Sequence, residues 1–368
     1  MHKRRALVVK IGTSTLSNSE GSIDKAFLET LAAQVRAIYD AKRACVIVSS
    51  GAGLAGRSAV SISTSSIPMK QAIAAIGQSR LMQMYSEAFA TSGLVVAQIL
   101  LTRDDFHDRK RFVNAANTLR ALISLGVVPI INENDTVATD EIKVGDNDTL
   151  AALVAGLIDT EMLILLSDID GLYTADPNKD PNATLIPHVT DIKAVRANVG
   201  GSSTKVGTGG MKTKLAAADI CMRANIPMVI AHGRGDNIVV KAWAGRAGTR
   251  FEPTDHKGLT ARKRWIASGQ RPKGTLTIHE AAYAQLMSGR SLLPVGVIAV
   301  SGKFNAGELV ELIDQQGVAF GRGIVAYDSS TVCQIMGMRT AQVKAKLGAM
   351  PSDEVIHRDN LVVSITSV

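Results

Sequence analysis

Ile131-Asn-Glu-Asn-Asp-Thr-Val-Ala-Thr-Asp-Glu-Ile-Lys-Val-Gly-Asp-Asn-Asp148 is polar where its surroundings are not. The apolar run Val127 to Ile131 leads into it, and a helix-like segment begins at Thr149. This order predicts an amide- and carboxylate-rich loop at the carboxyl end of a buried strand, where open α/β sheets bind ligands. Glu133, Asp135 and Asp148, with Asn132, Asn134 and Asn147, supply more polar groups than loop solubility requires. A small polar ligand accounts for them, and a solvated Asn/Asp turn is the competing reading.

Outward from this loop, short apolar runs alternate with amphipathic segments. Ala6 to Ile11, Cys45 to Val48, Leu94 to Ile99, Val127 to Ile131, Met162 to Leu166 and Pro227 to Ala231 read as parallel strands, apolar on both faces and therefore buried. Helices are predicted at about Lys25 to Tyr39, Met69 to Thr91, Arg111 to Leu125, Thr149 to Leu157 and Met211 to Ala224. Such alternation implies an α/β class fold, a three-layer α/β/α domain on a mainly parallel sheet with right-handed crossovers.

After Phe251-Glu252-Pro253 the pattern changes to short strand-like pieces and Gly turns, with no further long helix before about Ser330. A boundary near residues 253 to 272 follows, leaving about 100 residues, enough to fold alone. The Ser-rich stretch Ser58 to Ser66 reads as a loop.

The 368-residue chain is 46% hydrophobic and carries 41 Lys plus Arg against 33 Asp plus Glu, a net charge of +8. Mild basicity suits phosphate-bearing ligands but is too thinly spread to demand nucleic acid, and 4% aromatic residues argue against base stacking as the main business. Cys45, Cys221 and Cys333 are odd in number and far apart, which favours a reducing compartment. Lys10 interrupts the first apolar run before it reaches signal-peptide length, and no run approaches a membrane span. A cytoplasmic protein with no membrane contact is expected.

Four loops at strand ends carry candidate chemistry. Lys10-Ile-Gly12-Thr-Ser puts an ammonium at the end of a buried strand, where it meets an anion or else is an edge lysine reaching into solvent. Ser49-Ser50-Gly51-Ala52-Gly53 offers small residues with free amides, a nest for a carboxylate or phosphate or else a plain Gly-Ser turn. Ser167-Asp168-Ile-Asp170-Gly171 offers carboxylates suited to ribose hydroxyls or a metal, or else to an ordinary Asp-Gly turn. Gly207-Thr208-Gly209-Gly210-Met211-Lys212-Thr213-Lys214 runs into an Ala-rich helix. Glycine loop, helix N-terminus and lysine together form a phosphate-binding arrangement, though not a Walker A loop. The seven histidines show no metal-ligand spacing, so no protein-built metal site is expected.

Taken in order, Lys10-Ile-Gly-Thr-Ser, Ser49-Ser-Gly-Ala, Ile131-Asn-Glu-Asn-Asp, Lys143-Val-Gly-Asp-Asn-Asp, Asp170-Gly-Leu-Tyr-Thr-Ala-Asp-Pro and Gly207-Thr-Gly-Gly-Met-Lys-Thr-Lys closely resemble the bacterial glutamate 5-kinases, within the wider amino acid kinase family. Lys273-Gly-Thr-Leu-Thr-Ile, Leu292-Leu-Pro-Val-Gly-Val and Val300-Ser-Gly-Lys-Phe-Asn-Ala-Gly-Glu resemble a PUA domain, a small β-barrel. The resemblance implies an amino acid kinase domain over residues 1–255 and a PUA domain over 272–352. It implies glutamate at Ser50, Asp135 and Asn147, and ATP at Lys10, Ser167, Asp168, Thr208, Gly209, Gly210, Met211, Lys212, Thr213 and Lys214. Lys10 and Lys214 would be catalytic, with Asp148 holding them in place. Mg²⁺ would be held mainly by ATP phosphates and water. The implied reaction is phosphorylation of the glutamate side-chain carboxylate, the first step toward proline, in a homo-oligomer assembled through the kinase domains. Ser167 stands where the family frequently has Thr, which keeps the hydroxyl, and residues 53–67 match less well than their flanks.

Another amino acid kinase with an aspartate-type acceptor is the first rival. A protein binding RNA through the PUA segment is the second; from residue 260 onward, 12 Lys plus Arg against 8 Asp plus Glu make no concentrated footprint.

Overall fold

Apolar runs with no polar alternation are stable only when covered on both faces, and in the computed structural model they form the centre of one sheet. The structure describes residues 5–60, 66–107, 109–138, 147–177, 179–192, 194–195, 210–253, 263, 266–267, 272–348 and 352–363. Strands β1 (Ala6–Ile11), β2 (Ala44–Ser49), β3 (Val96–Leu101), β4 (Val128–Glu133) and β5 (Thr160–Ser167) come from the predicted runs. Between and beside them lie helices α1 (Thr13–Leu16), α2 (Lys25–Asp40), α3 (Ala52–Arg57), α4 (Ile67–Ala90), α5 (Arg103–His107), α6 (Arg109–Ser124) and α7 (Asn147–Leu157). β6 (Leu172–Tyr173) and β7 (Leu185–Ile186) form a separate antiparallel pair. β8 (His188–Val189), the helix Met211–Arg223, β9 (Met228–His232), the helix Ile238–Trp243 and β10 (Thr249–Phe251) complete the first of two compact units, Met1–Thr254.

The strand order is β3-β4-β2-β1-β5-β9-β10-β8. β1 to β5 and β9 are parallel, and β10 turns antiparallel against β9. Every carboxyl end from β4 to β9 therefore opens on one edge. The chain builds leftward from β1 to β2 and then crosses to β5 on the other side, so the switch in winding direction falls between β1 and β5. Ligand crevices form at such points.

Pleating decides which way β1 side chains point. Leu7, Val9 and Ile11 join a core with Leu28, Leu31 and Val35 of α2 and Leu81 and Tyr85 of α4. Alternation turns Val8 and Lys10 to the opposite face, where α7 packs against β1. Helix α7 is buried along its whole length, as an apolar helix between a sheet and another helix must be. The helix Met211–Arg223 packs on its outer side.

Three expectations need correction. The run Leu94 to Ile99 becomes β3, two residues later and only half-buried, because it is the edge strand. The helix predicted from Thr149 begins at Asn147, so Asn147 and Asp148 belong to its first turn, where a carboxylate meets the positive end of the helix dipole. The small residues Ala52 and Gly53, open to reading as a plain turn at the head of the stretch 53–67, belong to α3, seated on α4 almost backbone to backbone. A Cβ added at Gly77 would stand 1.8 Å from the Ala52 carbonyl oxygen, and one at Gly56 would stand 1.9 Å from that of Ile73. Small residues read as a turn are here what lets two helices touch. Residues 61–65 of that stretch lie outside the described residues.

The second unit, Asp255–Val368, has its own core around Leu276, Val310, Leu312, Phe320, Val332 and Ile335. Its sheet runs β12 (Val297–Gly302), β11 (Gly274–Ile278), β13 (Leu309–Ile313), β14 (Ala319–Ile324), β15 (Leu361–Val363), antiparallel except for β11 with β13. A helix not anticipated in the sequence, Glu280–Met287, is capped by the His279 side chain accepting from the Ala281 N–H. Much of the expected boundary at 253–272 lies outside the described residues.

Candidate active site

Lys10 is 8% exposed and Lys214 6%, and both ammonium groups converge on one carboxylate. Lys10 Nζ stands 2.6 Å from Asp148 Oδ1, and Lys214 Nζ 3.5 Å from Oδ2. Thr213 Oγ1 donates to the same Oδ2 at 2.8 Å. Burial pushes the Asp148 carboxyl up, but the two ammonium charges and the hydrogen bonds from Lys10 and Thr213 outweigh it, and its pKa lies below the ordinary 3.8. The fold makes this meeting unavoidable. β1 alternation turns Lys10 toward α7, Asp148 is in the first turn of α7, and Lys214 is in the first turn of the helix packed over it. Among the described residues two buried cations share one carboxylate, an arrangement suited to an anionic ligand.

On the β2 and β4 side, amides dominate. Asn147 Nδ2 donates to the Ser49 carbonyl at 3.0 Å, to Ser50 Oγ at 2.8 Å and to Asn132 Oδ1 at 3.1 Å. Asn132 Nδ2 in turn donates to Gln78 Oε1 at 2.8 Å. The Ser49 and Tyr85 hydroxyls meet at 2.8 Å. Gly51, with φ +102, makes the left-handed bend that carries the chain from β2 into α3, and a side chain would be strained there. Asp135, half-buried on the β4 loop, is pushed upward by desolvation, and no hydrogen bond or ion pair engages its carboxylate among the described residues. A partly desolvated carboxylate can take an ammonium group, although no contact joins Asp135 to Ser50 or Asn147 among the described residues.

The β5 and β9 side is different in kind. Ser167, buried, donates to Asp168 Oδ1 at 2.9 Å, and the exposed Asp168 reaches solvent beside it. Gly210 caps the helix Met211–Arg223 with no side-chain cap hydrogen bond, and the positive end of the helix dipole, which suits an anion, falls at this end. Lys212 is exposed and Met211 half-buried at this end, next to Thr213 and Lys214. Thr208 and Gly209 lie outside the described residues, as do residues 139–146 before Asn147.

The structure thus brings Lys10, Asp148, Thr213 and Lys214 into contact, and Ser50 and Asn147 into contact. The pairings are legible only in three dimensions. Gln78, Tyr85 and Asn132 went unassigned: Gln78 and Tyr85 are seven residues apart on α4, two helical turns, in a segment whose local pattern reads only as amphipathic. Cys45 and Cys221 are buried thiols whose pKa burial raises, to about 12 for Cys45, so neither is poised as a nucleophile.

Comparison with known proteins identifies the family. The profile of the Amino acid kinase family matches residues 5–232, and that of the PUA domain residues 274–347. A glutamate 5-kinase of Citrifermentans bemidjiense is 47% identical over 368 residues, covering 99% of this chain and 98% of that protein. The glutamate 5-kinase of Vibrio vulnificus is 45% identical over 364 residues, covering 98% and 96%. Among solved structures, carbamate kinase from Giardia lamblia bound to AMP-PNP shares the fold, with a TM-score of 0.50 at 15% identity over 68% of this chain and 99% of that one. Two buried lysines on one carboxylate at the winding switch, a carboxamide cluster on one side and a helix N-terminus on the other are therefore found in a chain that belongs to the amino acid kinase family, within its glutamate 5-kinase branch, and carries a PUA domain after the kinase unit.

Proposed function

We propose that this chain transfers the γ-phosphoryl group of ATP to the side-chain carboxylate of L-glutamate, giving L-glutamyl 5-phosphate, the first step of proline biosynthesis. One observation carries the reading: the buried lysines Lys10 and Lys214 meet on Asp148, between the carboxamide cluster at the ends of β2 and β4 and the N-terminal end of the helix Met211–Arg223. Adjacent strands are about 4.8 Å apart, so the ends of β2 and β5, with β1 between them, are separated by about 10 Å. A short amino acid and a terminal phosphate bridge that span.

Ser50, Asp135 and Asn147 take the glutamate, with Asp135 on the α-ammonium. Ser167, Asp168 and the 208–214 loop with its helix take ATP, and Lys10 and Lys214 flank the transferring group. A carboxylate nucleophile with a pKa of about 4.3 is ionised at neutral pH, so no general base is required. What the reaction needs is charge neutralisation and in-line placement of two anions. The carboxylate oxygen forms the new bond to γ-phosphorus as the bond to the β,γ-bridging oxygen breaks and ADP leaves. Lys10 and Lys214 stabilise the charge spread over the phosphoryl oxygens, and Asp148 keeps them apart and aimed.

Among the described residues no group of three His, Cys, Asp or Glu side chains is placed to hold a metal ion. In this reading Mg²⁺ is held mainly by the ATP phosphates and water, and it would supply further charge neutralisation when bound. Assembly of the kinase units into a homo-oligomer and a cytoplasmic location belong to the same reading, as does a division of labour between the kinase region 1–255 and the PUA region 272–352. No helix among the described residues is long and apolar enough to cross a membrane.

The test is ATP consumption with glutamate, aspartate, N-acetylglutamate or UMP as acceptor, followed by Lys10→Met and Lys214→Met. Glutamate alone should support turnover, and each variant should lower kcat by about 10² to 10³-fold. Unchanged kcat with only a raised ATP KM would remove both lysines from the chemistry, and turnover with aspartate instead would favour the aspartate-type rival.

A further inference from the structure

A chain of carboxamides reaches from α4 to the acceptor pocket, and backbone groups determine which way each one faces. The Glu133 N–H can only donate and stands 2.9 Å from Asn132 Oδ1, so the Asn132 oxygen is held there and its Nδ2 is turned to Gln78. Gln78 must then present Oε1, because the reverse orientation would set two NH₂ groups against each other. At the other end, the Ser49 carbonyl and Asn132 Oδ1 are both acceptors, so Asn147 must face them with Nδ2. Two atoms remain over: Asn147 Oδ1 and Gln78 Nε2 are buried and have no hydrogen-bond partner among the described residues. Asn147 is 4% exposed and Gln78 9%. Buried polar atoms without partners are rare and call for an explanation. The Asn147 acceptor belongs to a residue that also holds Ser50 Oγ, whose own hydrogen is then free to donate outward.

We infer that Gln78 and Asn132 are positioning residues of the acceptor pocket, holding Asn147 so that its oxygen, and never its NH₂, meets the substrate α-ammonium. The inference rests on the glutamate reading above. The orphaned Gln78 Nε2 is what this orientation costs. The polar residues of α4 repeat the theme at seven-residue spacing, since Gln71 Nε2 donates to the Ala138 carbonyl on the β4 loop and Tyr85 holds Ser49. Helix α4 is thus tied to the ends of both acceptor strands.

A role in orienting one acceptor atom predicts a change in discrimination between glutamate and glutarate, which has both carboxylates but no α-ammonium. Steady-state kinetics of the full chain read this directly. Asn132→Leu removes the acceptor that restrains Asn147 and should raise the glutamate KM at least about tenfold while moving the glutarate and ATP KM less than about twofold. Gln78→Met, which keeps the length and leaves Asn132 held by the Glu133 N–H alone, should reduce the glutamate preference by about threefold. Asn132→Asp keeps both acceptor positions, and the Gln78 amide can turn over to donate from Nε2, so the preference should stay within about threefold of the parent. Should Asn132→Leu fail to fold, Gln78→Met and Asn132→Asp, checked by thermal melting, carry the test. An unchanged glutamate-to-glutarate ratio, a joint rise of glutamate and ATP KM, or Asn132→Asp falling as far as a non-hydrogen-bonding substitution overturns the inference. A parent protein that turns over no glutamate overturns the acceptor reading itself, and that result is distinct from any of these.

Discussion

Replacing Asp148 by Asn changes one oxygen to an NH₂ group with almost no change in volume, and the triad makes the consequence large. The native carboxylate serves Lys10 through Oδ1 at 2.6 Å and Lys214 and Thr213 through Oδ2 at 3.5 and 2.8 Å. An asparagine keeps a single acceptor, so one ammonium faces an NH₂ group and the negative charge shared by the two lysines is lost. Opposite unit charges 4 Å apart attract by roughly 4 kcal/mol at an effective dielectric constant of about 20, and removing one partner of a buried ion pair costs about 3–5 kcal/mol. For a unit of this size that lowers Tm by roughly 6 to 20 °C. The loss should depend on pH in a definite direction. The folded Asp148 pKa lies below 3.8, so its contribution is complete above the unfolded value and is lost as pH falls through the folded one. The Tm gap between parent and Asp148→Asn should therefore be widest near neutrality and close below about pH 4. Added ADP should narrow it, since a phosphate anion binds the more positive site better. Turnover should nonetheless fall, because lysines that repel one another are no longer aimed at the phosphoryl group. Differential scanning fluorimetry between pH 3 and 8, with and without ADP, and kcat at pH 7 decide the matter. A variant within about 2 °C of the parent at pH 7, with kcat within threefold, would refute the claim that the carboxylate holds the lysines.

Asp135→Ala should raise the glutamate KM by roughly tenfold or more, the worth of one charge-assisted contact, and leave the ATP KM nearly unmoved; equal losses for both substrates would make the residue structural. Gly77→Ala should push α3 off α4, since the new methyl would stand 1.8 Å from the Ala52 carbonyl oxygen, and lower stability by about 1–3 kcal/mol while raising the glutamate KM. Normal melting and kinetics would show that the helix contact does not seat Ser50. Truncation near residue 260 should leave glutamate-dependent ATP consumption measurable, because every group placed at the site lies in the first unit; a folded but inactive fragment would mean that the second unit completes it.

Much of this protein is written in local sequence. Continuous apolar runs such as Ala6 to Ile11 and Met162 to Leu166 admit only a doubly covered strand, so the layered sheet and the edge on which its loops open follow from hydrophobic burial alone. The polar stretch ending in Asn147-Asp148 and the lysines Lys10 and Lys214 were visible as chemistry out of place. What no local pattern carries is which groups meet. Asp148 and Lys214 are 66 residues apart and Lys10 is still farther from either, and they touch only because pleat alternation, the first turn of α7 and the packing of a second helix coincide. Gln78 is the sharper case. Its carboxamide sits on a helix that reads as ordinary surface and core, and it becomes part of the pocket because Gly56 and Gly77 let α3 and α4 touch and the Glu133 N–H fixes the orientation of Asn132. The tendency to be buried can be read from each residue and its neighbours in sequence. The direction of a hydrogen bond between distant side chains belongs to the assembled fold.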